Sequence, residues 1–269
     1  MKKNRLFALA LCLVLALSLL AGCSATPAAP TEPAEGGETA APATDKTYII
    51  ATDTTFAPFE FQDESGNYVG VDIDLLAAIA EDQGFKYELQ PLGFDAACAA
   101  LESNQADGVI AGMSIKEERK LKYDFSEPYF DSGVVFAAKA DATYATLDDF
   151  KGQTIAVKTG TEGAAYAESL SEEYEFELKY FEESPLMYQE VLTGNAAACV
   201  EDYPVIGYGI ATGNLALKMI GEMQVGSSYG FAVSKDKNAE LLEMFDAGLA
   251  NLRSSGKYDE IVGNYIKAE

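Results

Sequence analysis

The chain has 269 residues, 48% hydrophobic and 23% charged, enough apolar material for one large domain or two small ones at about 100–200 residues each. Its 43 acidic against 19 basic residues give a formal charge of -24, a surface that repels phosphate backbones and excludes nucleic-acid binding. Histidine is absent, which excludes Ser-His-Asp and Cys-His catalysis, His-ligated zinc and a histidine pH switch.

Lys2, Lys3 and Arg5 precede an uncharged apolar run from Leu6 to Leu19. The run is shorter than the roughly 20 residues a spanning helix needs, so residues 1–22 read as a secretory signal peptide. It ends in Leu20-Ala21-Gly22-Cys23. That tetrapeptide is similar to a bacterial lipobox, in which Cys23 is lipidated and becomes the new N-terminus. Residues 24–46 hold four of the nine prolines and no aromatic residue, Val, Ile, Leu or Met. Such a segment cannot form a core, and residues 23–46 read as a lipidated cysteine on a disordered tether.

From Thr47 onward strands and helices alternate. Tyr48–Thr52 reads as a strand. Asp72 is placed as the N-cap of a helix that puts Leu75, Leu76, Ile79 and Ala80 on one face and stops at Gly84. Lys86–Pro91 follows as a strand, Asp95 caps a helix to Asn104, and Gly108–Ala111 reads as a buried strand. Gly133–Ala138 is a strand, Thr146–Phe150 a short capped helix and Thr154–Val157 a strand. A helix then runs from Glu162, a strand covers Glu175–Phe181, a helix lies near Leu186–Leu192 and a strand at Ala197–Val200. A helix near Val205–Ala211, a strand at Tyr229–Ser234 and helices at Ala239–Arg253 and Tyr258–Ile266 complete the order. The alternation predicts an α/β fold with mostly parallel sheets. Cys98 and Cys199 fall on elements far apart in that order and are expected as two buried thiols.

A weak repeat divides the body. The run Tyr48 to Thr54 resembles Thr154 to Gly160, and Asn104 to Ala111 resembles Gly194 to Glu201. Two lobes of like topology follow. Ligands of open α/β sheets lie at the carboxyl ends of the strands, which here means Asp53, Gly112 to Ser114, Lys158 to Glu162, and Glu201-Asp202.

Several ordered motifs carry a resemblance: Ala51 to Phe61 (ATDTTFAPFEF), Gly70 to Leu75 (GVDIDL), Gly112 to Ile115 with Glu118-Arg119-Lys120, Tyr123 to Tyr129 (YDFSEPY) and Gly256 to Ile261 (GKYDEI). Together, over residues 47–266, they are similar to the polar-amino-acid substrate-binding proteins of bacterial ABC importers, solute-binding protein family 3, with glutamine-binding members as the nearest pattern. The resemblance implies a two-lobe periplasmic-binding-protein-like fold (type II), its hinged lobes joined by two crossover strands. Lobe 1 would take residues 47–131 plus 229–269, lobe 2 residues 134–226, and the crossovers would lie near 131–134 and 226–229.

The resemblance also implies roles. Arg119 would hold the ligand carboxylate through a bidentate guanidinium, where local composition alone would make it a solvated charge. Ser114 would complete that site with its amide and hydroxyl. Thr161 precedes a helix start, which suits an anion, and is equally a plain N-cap. Asp202 and the Gly112 carbonyl would take the ammonium; the alternative for Asp202 is a turn or N-cap residue. Phe56 and Phe94 would wall the aliphatic part, or serve only as core. Asp53, Lys158 and Glu201 would face the ligand side chain. The glutamine-binding pattern carries His where Glu201 stands and Gly where Glu162 stands. Glutamine is the favoured ligand, with arginine and lysine second, because Lys158 repels a cation. The implied partners are a free L-amino acid, permease subunits and, through the lipid on Cys23, the extracytoplasmic face of the cell membrane. A monomer without cofactor or metal is expected. The alternative is an enzyme on the same fold, similar to cyclohexadienyl dehydratase, with Glu201 or Glu162 as general acid.

Overall fold

The computed structural model describes residues 46–266. The signal segment, Cys23 and all but the last residue of the tether lie outside the described residues.

Strand β1 (Thr47–Thr52) runs into a small antiparallel meander of β2 (Thr55–Phe56), β3 (Glu60–Gln62) and β4 (Tyr68–Val69). Next come α1 (Val71–Gln83), β5 (Lys86–Pro91), α2 (Phe94–Glu102), β6 (Gly108–Val109), α3 (Glu117–Lys120) and β7 (Tyr123–Phe125). The long β8 (Phe130–Lys139) carries the chain into a second sheet. That region contains β9 (Thr154–Lys158), α4 (Glu162–Tyr174), β10 (Glu177–Phe181), α5 (Ser184–Thr193), β11 (Ala198–Asp202) and α6 (Tyr203–Ala211). Strand β12 (Leu217–Tyr229) returns to β13 (Ala232–Ser234), and α7 (Ala239–Ser255) and α8 (Lys257–Tyr265) close the described chain.

Two α/β lobes result, each built on a five-stranded sheet, in the orders β5-β1-β6-β13-β7 and β10-β9-β11-β8-β12. β8 and β12 are the crossovers, paired antiparallel from Leu217–Lys139 to Tyr229–Phe130 with register shifts around Gln224. The expectation of mostly parallel sheets needs correction. In each sheet three neighbouring strands are parallel, while the remaining two pairings are antiparallel. The chain leaves and re-enters lobe 1 by two strands lying side by side, so their pairing must be antiparallel, and no local pattern reveals it.

Each sheet is covered on both faces. Leu75, Leu76 and Ile79 of α1 pack with Phe245, Leu249 and Leu252 of α7 over the first sheet, while Ala97 and Leu101 of α2 cover its other face. In the second sheet, Val134, Phe136, Val157 and Val200 face α4, and Val135, Ala137, Ala156 and Cys199 face α5 and α6. Fully burying one such large side chain contributes about 1.5–3 kcal/mol.

Helix starts differ in detail from the sequence pattern. Gly70 and Gly93, not Asp72 and Asp95, occupy the N-cap positions of α1 and α2. Asp72 is thereby turned into the protein and fully buried. Cys98 and Cys199 are free thiols, Cys199 buried and Cys98 only partly so.

Candidate functional site

The carboxyl ends of β1, β6, β9 and β11 converge on one cleft. It is lined by Asp53, Phe56, Phe94, Ala111, Gly112, Ser114, Arg119, Lys158, Thr161, Glu162 and Asp202. Of the residues expected to contact ligand, all but Glu201 are in that lining, drawn from segments that lie far apart in the chain.

One end of the cleft holds an ion pair between lobes. Lys158 ends β9, Asp53 follows β1, and the ammonium pairs with the Asp53 carboxylate; their side chains are 1% and 2% exposed. Ser184 Oγ lies 3.5 Å from the same ammonium, and the Phe56 ring centroid 5.5 Å. Asp53 also accepts from the Thr54 amide at 2.6 Å. In so dry a place each charge depends on the other.

At the other end Arg119, half-buried, spans the cleft. Its Nη1 donates to the Ser114 carbonyl at 2.8 Å and its Nη2 to the Gly160 carbonyl at 3.0 Å. The guanidinium lies over the Phe94 ring, 5.3 Å from its centroid. These contacts hold the planar fork in one orientation and leave three of its five N–H donors for an anion. Thr161 is the N-cap of α4: its Oγ1 accepts from the Ala164 amide at 3.2 Å. Gly163 lets that helix start come close, because a Cβ there would sit 2.7 Å from the Val200 carbonyl oxygen on β11.

Gly112 has a φ of +52°, and a Cβ on it would collide with the Phe56 ring. Glycine is therefore required both for the left-handed backbone and for the approach of this segment to the aromatic wall. Its amide donates to Asp72 Oδ2 at 2.8 Å. Asp202, at the end of β11, makes no capping bond to α6. Its Oδ2 accepts instead from the Tyr229 hydroxyl, which in turn accepts from Ser132 Oγ at 2.9 Å. Burial, with the neighbouring Glu201 charge, pushes the Asp202 carboxyl up to about 7. A cation seated beside it would restore the ionised form.

Glu201 is placed differently from the expectation that it faces a ligand side chain. It is buried but absent from the cleft lining. Its Oε2 accepts from the Tyr188 hydroxyl at 2.8 Å and its Oε1 from the Asp202 amide at 3.0 Å. The reason is the alternation of a strand. β11 runs to Asp202, two residues beyond the expected end at Val200, so consecutive residues point to opposite faces. Val200 and Asp202 turn toward α4 and the cleft; Cys199 and Glu201 turn toward α5.

Glu162 reads in the sequence as a helix start, a departure from the glutamine-binding pattern and a candidate general acid. In the fold it lines the cleft and pairs with Lys116, whose Nζ lies 2.6 Å from Glu162 Oε2. Nothing local in the sequence signals that pairing. Among the described residues no group of acidic, Cys or His side chains is arranged to hold a metal ion, and no helix is long and apolar enough to cross a membrane.

Known proteins place this architecture. The family described as bacterial extracellular solute-binding proteins, family 3, matches residues 48–268. The arginine-binding extracellular protein ArtP of Bacillus subtilis is 29% identical over 225 residues, 83% of this chain and 88% of its own. The ABC transporter glutamine-binding protein GlnH of the same organism is 29% identical over 275 residues, 99% of this chain and 98% of its own. An ancestral arginine-binding protein, solved once bound to glutamine and once bound to arginine, superposes with a TM-score of 0.76 at 37% identity, covering 82% of this chain and 98% of its own.

Proposed function

The chain belongs to the bacterial extracellular solute-binding proteins of family 3, and from that membership we propose that it binds a free polar L-amino acid between its lobes and delivers it to the permease of an ABC importer. Glutamine is the favoured ligand, arginine and lysine the second choice. The observation that carries this reading is the chemistry of one cleft. Arg119 offers unspent guanidinium N–H donors to an α-carboxylate, and Asp202 with the Gly112 carbonyl suits an α-ammonium. Phe56 and Phe94 supply apolar walls, and Asp53 with Lys158 presents both signs of charge to a side chain. A neutral amide satisfies both signs at once, because it accepts from the ammonium and donates to the carboxylate. Relatives named for arginine and for glutamine support the class. The lobes we assign are residues 47–131 with 229–269, and 134–226, hinged where β8 and β12 cross.

A dehydratase-like role has less support. Glu201, one of the two candidate acids, is turned to Tyr188, and Glu162 is engaged by Lys116.

Thermal unfolding in the presence of each of the twenty amino acids tests the reading, since a ligand bound only by the folded state raises the midpoint. Glutamine should give the largest rise. A rise with none of them removes the amino-acid reading, and a larger rise with arginine removes the preference for glutamine.

We assign Cys23 as the point of lipid attachment at the extracytoplasmic face of the cell membrane, with residues 24–46 as the tether. Cys23→Ala should move the protein from the membrane fraction to the aqueous fraction. A variant that stays with the membrane after loss of its signal segment would exclude the lipobox.

A further inference from the structure

Behind the cleft lies a pair of acids that contact no expected ligand group. Glu60 opens β3 and Asp72 is the second residue of α1, and neither has any solvent exposure. The backbone joins the two segments: the Val71 amide donates to the Pro58 carbonyl at 2.9 Å, and the Asp72 amide to the Phe59 carbonyl at 3.0 Å. Asp72 Oδ2 accepts from the Gly112 amide and from the Tyr129 hydroxyl, each at 2.8 Å. Asp72 Oδ1 and both Glu60 carboxyl oxygens find no donor among the described residues. The Asp72 amide bonds the carbonyl of Phe59, the residue before Glu60, which sets the two acids side by side in the interior.

The other charged or titratable groups facing this pair are Asp53 after β1, Lys158 at the end of β9 and Tyr129 before β8. None donates to Glu60. The Lys158 ammonium pairs with Asp53, and the Tyr129 hydroxyl is spent on Asp72. Two neighbouring carboxylates in a dry interior cannot both ionise. A single proton between them partners one Glu60 oxygen with Asp72 Oδ1, two of the three orphaned atoms.

We propose that Glu60 is a neutral carboxylic acid that donates its proton to Asp72, and that the pair is a positioning element holding Asp72 on the Gly112 amide and hence the Gly112–Ser114 edge of the cleft. The ligand-binding role of that edge rests on the amino-acid-binding reading; the protonation and the hold on Gly112 are properties of the protein alone. Burial, then the like charges of Asp72 and Asp53, hold the Glu60 carboxyl well above its ordinary 4.5, with Lys158 acting the other way. Burial pushes Asp72 up to about 6, opposed by its bonds to Gly112, Tyr129 and Glu60. A raised carboxyl contributes stability that is fully present below the unfolded pKa and is lost as pH rises through the folded one.

The test uses the ligand-free full chain. Carboxyl-labelled glutamate in the wild type should show one carbon-13 resonance that keeps its acid-form shift at pH 7. If every glutamate resonance of the wild type has moved to the ionised shift by then, the proposal is overturned. In the infrared, the protonated carboxyl stretch should be weaker in Glu60→Gln than in wild type, because that variant keeps shape and a donor toward Asp72 but loses the Glu60 acid, while the share from Asp202 is common to both. Identical spectra overturn the assignment to Glu60. In denaturant melts the folding constant of wild type should fall relative to Glu60→Gln by about tenfold per pH unit above 4.5 until Glu60 ionises; a pH-independent ratio overturns it. Hydrogen exchange then tests positioning. Protection of the Gly112 amide should be kept in Glu60→Gln and drop by about tenfold in Glu60→Leu. Equal protection in both variants would remove the hold on Gly112. Failure of the twenty-amino-acid screen would leave all these readouts unchanged, so the two ideas fail separately.

Discussion

Arg119→Ala is expected to weaken amino-acid binding by about 2–5 kcal/mol, the range for truncating one partner of a desolvated charge pair. That is about 30- to 5,000-fold in dissociation constant. The fold should survive. Arg119 sits at the half-exposed mouth of the cleft and its loss removes two bonds to backbone carbonyls, of Ser114 and Gly160, with no large apolar core side chain lost. Those carbonyls belong to different lobes, so the same change also removes a contact that draws the lobes together. Arg119→Lys should restore little, because an ammonium lacks the planar fork that meets a carboxylate with two parallel bonds. Calorimetry with glutamine, alongside a thermal melt without ligand, separates binding from folding. Unchanged affinity in Arg119→Ala would take the residue out of the site.

Lys158→Gln should act on both stability and ligand choice. The Asp53–Lys158 pair is almost inaccessible to solvent, and removing one partner of such a pair costs about 3–5 kcal/mol because the other charge is left uncompensated. The amide of glutamine replaces a donor but not the charge. A ligand that carries a cation at the end of its side chain can supply what is missing. Arginine or lysine should therefore stabilise Lys158→Gln more than glutamine does, whereas wild type should prefer glutamine. Like-charge repulsion by Lys158 is poorly screened in a closed cleft, which is the physical basis of that preference. Competition calorimetry with glutamine, arginine and lysine on both proteins reads the result. If arginine gains nothing over glutamine in the variant, the Asp53 end of the cleft does not face the ligand side chain.

Much of this protein is written in local pattern. The apolar spacing of Leu75, Leu76, Ile79 and Ala80 with Gly84 behind it specifies α1 and its left-handed cap, since both depend on neighbours within one or two turns. Thr161 as the cap of α4 and the capping box at Thr146 are equally local. The motif around Gly112 and Arg119 marks one edge of the cleft because its glycine, hydroxyl and guanidinium are close in sequence. The tertiary structure decided the rest, for reasons no short window contains. Strand β11 runs on to Asp202 because β8 pairs with it along its whole length, and those two extra residues turn Glu201 to Tyr188 while Asp202 enters the cleft. The antiparallel crossovers exist because β8 and β12 meet from distant positions in the chain. Lys116 finds Glu162, and Lys158 finds Asp53, only when two separately built lobes come together. Asp72 looks like a helix cap in the sequence; the approach of Pro58 and Phe59 to the start of α1 makes it instead a buried acid beside Glu60. Local propensity determines which elements form, and the burial of charge against charge across distant segments determines what the site can bind.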